Sequence, residues 1–322
     1  MRSFTKPNVV ISKCLGFDHC RWNGAVIPDE FVDSLKNHVV YRPVCPEVEI
    51  GLGVPRDPIR IIDQGRGARL IQPSTGRDVS EKMRRFTDTF LGSLSAIDGF
   101  ILKERSPSCG MKGVKIYAGP EKGAASTPGS GFFGGPVTDR FPAAAIEEEG
   151  RLRNFRLREH FLTKLFSLAA FRKVRSAGTM AALVKFQAAN KLLMMAYNQK
   201  EIKILGRLVA NPERRPLEAI IEDYAQHLAG ALIRPPRYVS NINVLMHTLG
   251  YFSKNLSARE KAFFLETLER YRNEKVPLSV PLNLARAWVV RFDQEYLAQQ
   301  TFLEPYPEAL MEITDSGKGR KL

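Results

Sequence analysis

The distribution of hydrophobic and polar residues changes character once along the chain, near residue 150. Before that point, short apolar runs at residues 9–11, 39–44 and 99–102 alternate with segments of helical period. Buried strands that alternate with helices are typical of an α/β domain with a mostly parallel sheet. After that point nearly every segment has helical period. The pattern predicts an α/β domain over residues 1–150, followed by an all-α domain over residues 151–322.

Local patterns locate further elements in the first half. Residues 60–62 and 68–71 resemble the arms of a hairpin, and Asp78 or Ser80 is expected to cap a helix that runs to about Ala96. The segment 119–135 is rich in Gly, Ser and Pro and is predicted to be a long loop. Phe141 and Pro142 are predicted to open a helix whose solvated end is formed by the three glutamates at 147–149.

In the second half, two helix starts have clear signals. Ser257 and Glu260 form a capping-box pattern, and Pro281 suits the first turn of a last helix that reaches about Gln300. The segment 316–322 is polar and is expected to fray.

Charge separates the two halves more sharply than composition does. The chain of 322 residues has a net charge of +14. Residues 1–150 carry 20 basic and 18 acidic side chains, whereas residues 151–322 carry 28 and 16, a net of +12. Such an excess indicates a polyanionic partner, and nucleic acid fits best, although a solvated basic surface is the alternative. Basic residues concentrate around the predicted first helix of this half: Arg151, Arg153, Arg156, Arg158, Lys164, Arg172, Lys173 and Arg175.

Cysteine usage and hydropathy limit the class of protein. Four cysteines are too few for a disulfide framework, so we expect a reducing, cytoplasmic location. No apolar run approaches the roughly 18 residues of a membrane span, and we expect no membrane contact. The sequence suggests no obligate protein partner.

Three of the cysteines occupy the same kind of position. Cys14, Cys45 and Cys109 each follow a short apolar run, at or just beyond its carboxyl end. In an open parallel sheet these ends face one crevice, so three distant thiols are expected to converge there. Three sulfurs suit a metal ion or an iron–sulfur cluster with one open position, while the alternative is three small buried core residues. Cys20 is a fourth candidate ligand, which would close the site.

The surroundings of these cysteines resemble a known signature. Residues 11–16 with 21–24, residues 45–47 with 51–56, and residues 101–103 with 105–110 are similar to the motifs of the thiouracil desulfidase family. In the second half, residues 186–194, 241–247 and 277–282 resemble the helical domain fused to it in a subgroup similar to tRNA 4-thiouridine desulfidases.

The resemblance implies a cofactor, a reaction and a set of site residues. It implies a 4Fe-4S cluster held by Cys14, Cys45 and Cys109, whose fourth iron binds a thiocarbonyl sulfur, with Cys20 outside the ligand set. It also implies catalytic roles for Glu47 and Ser106. Water would replace the sulfur, giving uridine and sulfide. The implied partner is thiolated tRNA, bound by the basic helical domain.

The residues themselves are consistent with this chemistry and leave several roles open. Glu47 lies two residues from a cysteine, where it can activate water, or it is a helix cap or ion-pair partner. Ser106 and Ser108 can orient a substrate. Arg105, with Lys103, either binds phosphate or pairs with Glu104 or Asp98. Trp22 is expected to pack rather than to stack on a base.

Two other functions remain open at this stage. One is desulfuration of free thiouracil or of 2-thiouridine, with a small-molecule thiobase as the partner. The other is a metal- or cluster-bearing RNA-binding protein without turnover. Iron content separates a cluster from zinc, and loss of thiolated nucleoside from tRNA separates an enzyme from a binder.

Overall fold

The computed structural model describes residues 2–65 and 67–312, so the predicted frayed segment 316–322 lies outside the described residues. The chain forms two compact units. The N-terminal unit contains Thr5–Ala169 together with the chain from Leu310, and the helical unit contains Met1–Phe4 and Ala170–Ala309. The assignment of catalysis to residues 1–150 and of tRNA binding to residues 151–322 stays a prediction.

The N-terminal unit is an α/β structure, as predicted, with two sheets. One sheet has the order β2-β1-β6-β9 and every pair in it is parallel. The other has the order β5-β4-β3-β7-β8 and contains the expected hairpin, β3 with β4. The strands are β1 (Asn8–Ser12), β2 (Val40–Val44), β3 (Arg60–Ile62), β4 (Arg69–Gln72), β5 (Arg77–Asp78), β6 (Gly99–Leu102), β7 (Val114–Tyr117), β8 (Ser126–Gly129) and β9 (Ala145–Glu148).

The two central strands of the parallel sheet are buried on both faces. Val9 to Ile11 in β1 and Phe100 to Leu102 in β6 have no exposed surface, which explains their continuous apolar runs. The helices of this part of the chain are α1 (Glu30–Leu35), α2 (Pro46–Glu49), α3 (Ser80–Gly92), α4 (Gly134–Arg140) and α5 (Phe155–Ala177), the last of which crosses into the helical unit.

The helix predicted from Phe141 to about residue 150 is wrong. The predicted long loop 119–135 contains β8, which pairs with β7, and its end begins α4; the chain then forms β9, which pairs in parallel with β6. Gly99 permits this pairing, because a Cβ there would lie 2.7 Å from the Ala145 carbonyl oxygen. Pairing with a buried strand outweighed the local helical signal.

The three glutamates at the end of β9 are not a solvated helix end, because Glu148 and Glu149 are buried. Glu148 Oε1 accepts the Met111 N–H at 2.7 Å. Glu149 Oε2 accepts the Glu104 N–H at 2.7 Å, and its other oxygen pairs with Lys103. These carboxylates therefore fix the backbone on both sides of Cys109.

The helical unit confirms the prediction of an all-helical second half. Ser257 and Glu260 form the expected capping box. The predicted last helix is shorter than expected, because α11 ends at Arg291 and Asp293 adopts a left-handed φ of 48°. The helices are α6 (Met180–Tyr197), α7 (Gln199–Ala210), α8 (Leu217–Ala231), α9 (Tyr238–Phe252), α10 (Ala258–Arg272), α11 (Ser279–Arg291) and α12 (Glu295–Ala298). Among the described residues, no helix combines the length and apolar character that crossing a membrane requires.

A side chain from the end of this unit binds the backbone of α6. Gln300 accepts the Leu192 N–H at 3.1 Å and donates to the Ala188 carbonyl at 2.9 Å. These two backbone groups are four residues apart, the separation of an α-helical hydrogen bond, within the continuous helix α6. The next residue, Thr301, donates its N–H to the Ala189 carbonyl at 2.9 Å. The chain after α12 is therefore joined to the middle of α6 by hydrogen bonds.

Candidate active site

A cavity of about 430 Å³ opens at the carboxyl ends of β1, β2 and β6. The three predicted cysteine ligands all line it: Cys14 follows β1, Cys45 follows β2, and Cys109 lies on the loop after β6. Strand order explains the convergence, because these three strands are adjacent and parallel. Predicted catalytic residues Glu47 and Ser106 line the same cavity.

Cys20 also belongs to this cavity. A hydrogen bond with Cys14 is the main cause that raises the pKa of the Cys20 thiol to about 11; burial acts in the same direction and a hydrogen bond to Cys45 opposes it. The Cys45 Sγ atom lies 3.7 Å from the Cys20 carbonyl oxygen. All four cysteines of the chain therefore meet in one place, and all are free thiols.

The cysteine environment favours protonated thiols in the absence of a cation. Burial raises the pKa of the Cys109 thiol to about 12, and the hydrogen bond with Cys20 together with burial raises the pKa of Cys45. Metal binding requires deprotonated thiols and releases their protons. In the described part of the chain, no group of three or more His, Cys, Asp or Glu side chains is arranged to hold a single metal ion.

Glu47 is held by hydrogen bonds to both of its carboxylate oxygens. Arg56 donates Nε at 2.9 Å and Nη2 at 2.6 Å to Oε2. Ser108 Oγ donates to Oε1 at 2.6 Å. The two side chains of the pair are mostly shielded from solvent, with side-chain exposures of 4% for Arg56 and 12% for Glu47. Glu47 is therefore an ion-pair partner and a cavity-lining carboxylate at the same time, and one lone pair on Oε1 remains for another donor.

Ser106 and Ser108 continue this network. Ser106 Oγ accepts the N–H groups of Ser108 at 3.2 Å and of Cys109 at 3.1 Å. Since Ser108 donates its proton to Glu47, the 2.9 Å contact between the two hydroxyls has Ser106 as the donor. Ser106 thus shapes the loop that carries Cys109, and Ser108 connects that loop to the carboxylate.

The two cationic groups predicted beside the cavity, Lys103 and Arg105, differ in whether a carboxylate neutralises them. Lys103 lines it but pairs with Glu149, not with Glu104 or Asp98. Arg105 lines it with an exposed side chain and a left-handed φ of 57°, a backbone conformation that non-glycine residues rarely adopt. Arg105 therefore presents an exposed cation at the cavity.

Sequence reasoning missed two features of this site. The role of Arg56 was not predicted from the motif at 51–56, because an arginine twelve residues past the end of β2, on an irregular segment, carries no local signal. The expectation that Trp22 packs is wrong: it lies at the cavity and 47% of its surface is exposed.

The predicted basic cluster is only partly on the surface. Arg158 is buried and donates to the Leu152 carbonyl at 3.2 Å and the Glu312 carbonyl at 2.7 Å. Lys164 is also buried. Arg151, Arg153, Lys173 and Arg175 remain exposed, and two of these are ion-paired, Arg151 with Glu147 and Arg175 with Glu222. A nucleic-acid surface on this part of the chain would be smaller than the count of basic residues indicates.

Lys164 provides a pH-dependent test of this burial. Burial lowers the pKa of Lys164 from 10.5 to about 8, so at pH 7 the folded state holds a poorly solvated charge. Because the unfolded chain binds the proton more tightly, stability should rise between about pH 8 and pH 10.5. Lys164→Met should raise the free energy of unfolding at pH 7 by roughly 1–3 kcal/mol. Thermal melts at pH 7 and pH 10 measure this, and an equal difference at both values would contradict it.

Comparison with known proteins gives matches for both halves. The 2-thiouracil desulfurase family matches residues 9–149, and a protein family of unknown function, DUF1722, matches residues 191–307. YbbK of Bacillus subtilis (strain 168), an uncharacterized protein, is 35% identical over 130 residues, which are 38% of this chain and 84% of YbbK. YbgA of Escherichia coli (strain K12), also uncharacterized, is 26% identical over 151 residues, 46% of this chain and 89% of YbgA.

A solved structure is also similar. The [4Fe-4S]-dependent thiouracil desulfidase TudS is 31% identical, with a TM-score of 0.38 over 46% of this chain and 93% of TudS. The family match covers every cysteine of the cavity together with Glu47, Arg56 and both serines. Through residues 9–149, the chain belongs to the 2-thiouracil desulfurase family.

Proposed function

We propose that this protein is a 4Fe-4S-dependent desulfidase that converts 4-thiouridine in tRNA to uridine and releases sulfide. The observation that carries the proposal is one cavity in which Cys14, Cys45 and Cys109 lie beside a carboxylate fixed on both oxygens. Membership of the 2-thiouracil desulfurase family supports removal of sulfur from a thiolated base.

The residues present fit a cluster with three protein ligands. Thiolates are the ligands of iron–sulfur clusters, and Cys14, Cys45 and Cys109 supply three from adjacent strand ends. When bound, the cluster would supply a Lewis-acidic iron that prefers sulfur to oxygen and polarises a thiocarbonyl. The overall reaction exchanges C=S and water for C=O and hydrogen sulfide, so no electrons are transferred.

The chain's own residues would activate the attacking water and carry its proton. Glu47 is expected to accept a proton from the attacking water at Oε1, the oxygen with a remaining lone pair, and later to return it. Arg56 holds the other oxygen and so fixes the carboxylate plane. Ser108 orients Oε1 from the opposite side, and Arg105 is expected to contact the substrate beside Ser106.

Arg56 is a positioning residue in this scheme, and a conservative change tests it. Lysine keeps the charge but cannot direct two donors to Oε2 while also binding the carbonyls of Cys20 and Gly53. Arg56→Lys should therefore lower kcat roughly tenfold and leave iron content unchanged. Steady-state kinetics with iron analysis measure both, and an unaltered kcat would contradict the role.

The tRNA part of the proposal rests on charge. Residues 151–322 carry a net charge of +12, and structured RNA is bound largely through phosphates and shape. Affinity for tRNA should fall steeply as salt rises. The family name favours free thiouracil as a second candidate substrate, and binding of a free base would show little salt dependence.

One anaerobic experiment separates the candidates. The reconstituted protein is incubated with 4-thiouridine-containing tRNA, free 2-thiouracil and 2-thiouridine, and the products are separated by chromatography after digestion. Conversion of 4-thiouridine to uridine in tRNA, with matching sulfide, supports the proposal. Turnover of free bases alone would favour the second candidate. Salt-sensitive tRNA binding without any turnover would indicate an RNA-binding protein.

A further inference from the structure

The rim of the cavity carries an exposed tryptophan. Trp22 lines the cavity with 47% of its surface accessible. Tryptophan is usually well buried because of its large apolar area. The second tryptophan of the chain, Trp288, is in the core of the helical unit and 8% exposed. An exposed aromatic plane beside a binding cavity is the arrangement on which nucleobases stack.

The backbone holds Trp22 in a fixed turn. The Arg56 N–H donates to the Trp22 carbonyl at 2.7 Å, and the Gly24 N–H donates to the Arg21 carbonyl at 2.9 Å. Gly24 has a φ of 73°, which favours glycine at this position of the turn. Arg56 also binds Glu47 through its side chain. The same residue therefore holds both the main chain of Trp22 and the carboxylate proposed as the general base.

An arginine without a carboxylate partner lies next to this tryptophan. The cations lining the cavity are Lys13, Arg21, Arg56, Lys103 and Arg105. Three of them are neutralised, Lys13 by Asp18, Arg56 by Glu47 and Lys103 by Glu149. Within residues 2–65 and 67–312, the side chains of Arg21 and Arg105 pair with no carboxylate and make no hydrogen bond. Unpaired guanidinium groups beside an aromatic plane are suited to phosphate.

We propose that Trp22 and Arg21 bind the nucleotide adjacent to the thiolated one in an RNA strand. Trp22 stacks on the neighbouring base, and Arg21 contacts the phosphodiester between the two nucleotides. This inference rests on the proposed function, in which the thiolated base enters the cavity. It means that preference for RNA over a free base is built partly into the N-terminal unit, in a single-stranded or splayed segment of the substrate.

Binding of an unreactive RNA tests the inference independently of catalysis. The probe is a labelled uridine pentamer, followed by fluorescence anisotropy with the cluster-loaded protein under anaerobic conditions. Trp22→Ala should weaken binding roughly tenfold, and Trp22→Phe less than about threefold, since phenylalanine still stacks. Arg21→Gln should weaken binding. It should also reduce the slope of log affinity against log salt concentration by about one, the contribution of one phosphate contact. Phe263→Ala removes a comparably exposed aromatic from α10, at 53% exposure, and should keep wild-type affinity.

A kinetic arm separates this inference from the proposed function. The ratio of kcat/KM on thiolated RNA to kcat/KM on free thiouracil should fall roughly tenfold in Trp22→Ala. An unchanged ratio, or pentamer affinity equal to wild type, would overturn the inference. If the wild-type protein desulfurates nothing, the proposed function fails, and the pentamer affinities alone then decide whether Trp22 and Arg21 bind RNA.

Discussion

Cys109→Ala should abolish both iron binding and desulfuration. Cys109 is buried at the cavity on the loop that Ser106, Glu148 and Glu149 hold in place. Its removal leaves two of the three proposed thiolate ligands, so a second iron would lose its protein ligand. Iron and acid-labile sulfide per chain, measured after anaerobic purification, should fall to background, and turnover should become undetectable.

Cys20→Ala is the matched control for this experiment. Cys20 is as buried as Cys109 and lines the same cavity, so both variants remove one thiol from similar surroundings. We expect Cys20→Ala to retain iron, because the proposed ligand set leaves one position for substrate. Turnover in Cys109→Ala would disprove the proposed ligand. Loss of iron in both variants would show that Cys20 is a fourth ligand, which is incompatible with an open iron.

Glu47→Gln should lower kcat by roughly 100- to 10,000-fold, the usual contribution of a general base, while iron content stays at the wild-type level. The amide is nearly isosteric but cannot accept a proton from water. Its carbonyl oxygen can still accept from the Arg56 donors, which places the NH₂ group at the position of Oε1. The decisive measurement is single-turnover desulfuration at matched iron content.

Ser108→Ala separates the charge of Glu47 from its orientation. This change removes the 2.6 Å hydrogen bond to Oε1 and leaves the carboxylate bound to Arg56. We expect a smaller loss of kcat, roughly tenfold. Glu47→Gln with wild-type kcat would exclude Glu47 as the base, and equal losses in the two variants would indicate that geometry, not proton transfer, is the main contribution.

The convergence of the cysteines was predictable because it depends on a regular rule. Parallel strands with buried apolar runs place their carboxyl ends at one edge, and Cys14, Cys45 and Cys109 each follow such a run. The capping box at Ser257 was predictable for a similar reason, since it involves residues three apart. Both features follow from patterns that are local or periodic.

The features that escaped prediction depend on partners distant in sequence. The glutamates at the end of β9 look like a polar helix end, yet Glu148 and Glu149 are buried and accept backbone N–H groups from residues 37 and 45 positions away. Arg56 and Glu47 are nine residues apart across an irregular loop. The turn that carries the exposed Trp22 is likewise held by the Arg56 N–H, from a segment distant in sequence. None of these contacts has a periodic signal.

The hydrogen bonds from Gln300 and Thr301 to α6 limit where the chain can be truncated without loss of stability. The DUF1722 match begins at residue 191, in the middle of that helix. A polypeptide cut to residues 191–307 would lack Ala188 and Ala189, whose carbonyls receive the Gln300 amide and the Thr301 N–H. Buried donors left without acceptors are destabilising. The limits of sequence similarity are therefore not the limits of an autonomously folding module, and any excised version has to include the whole of α6.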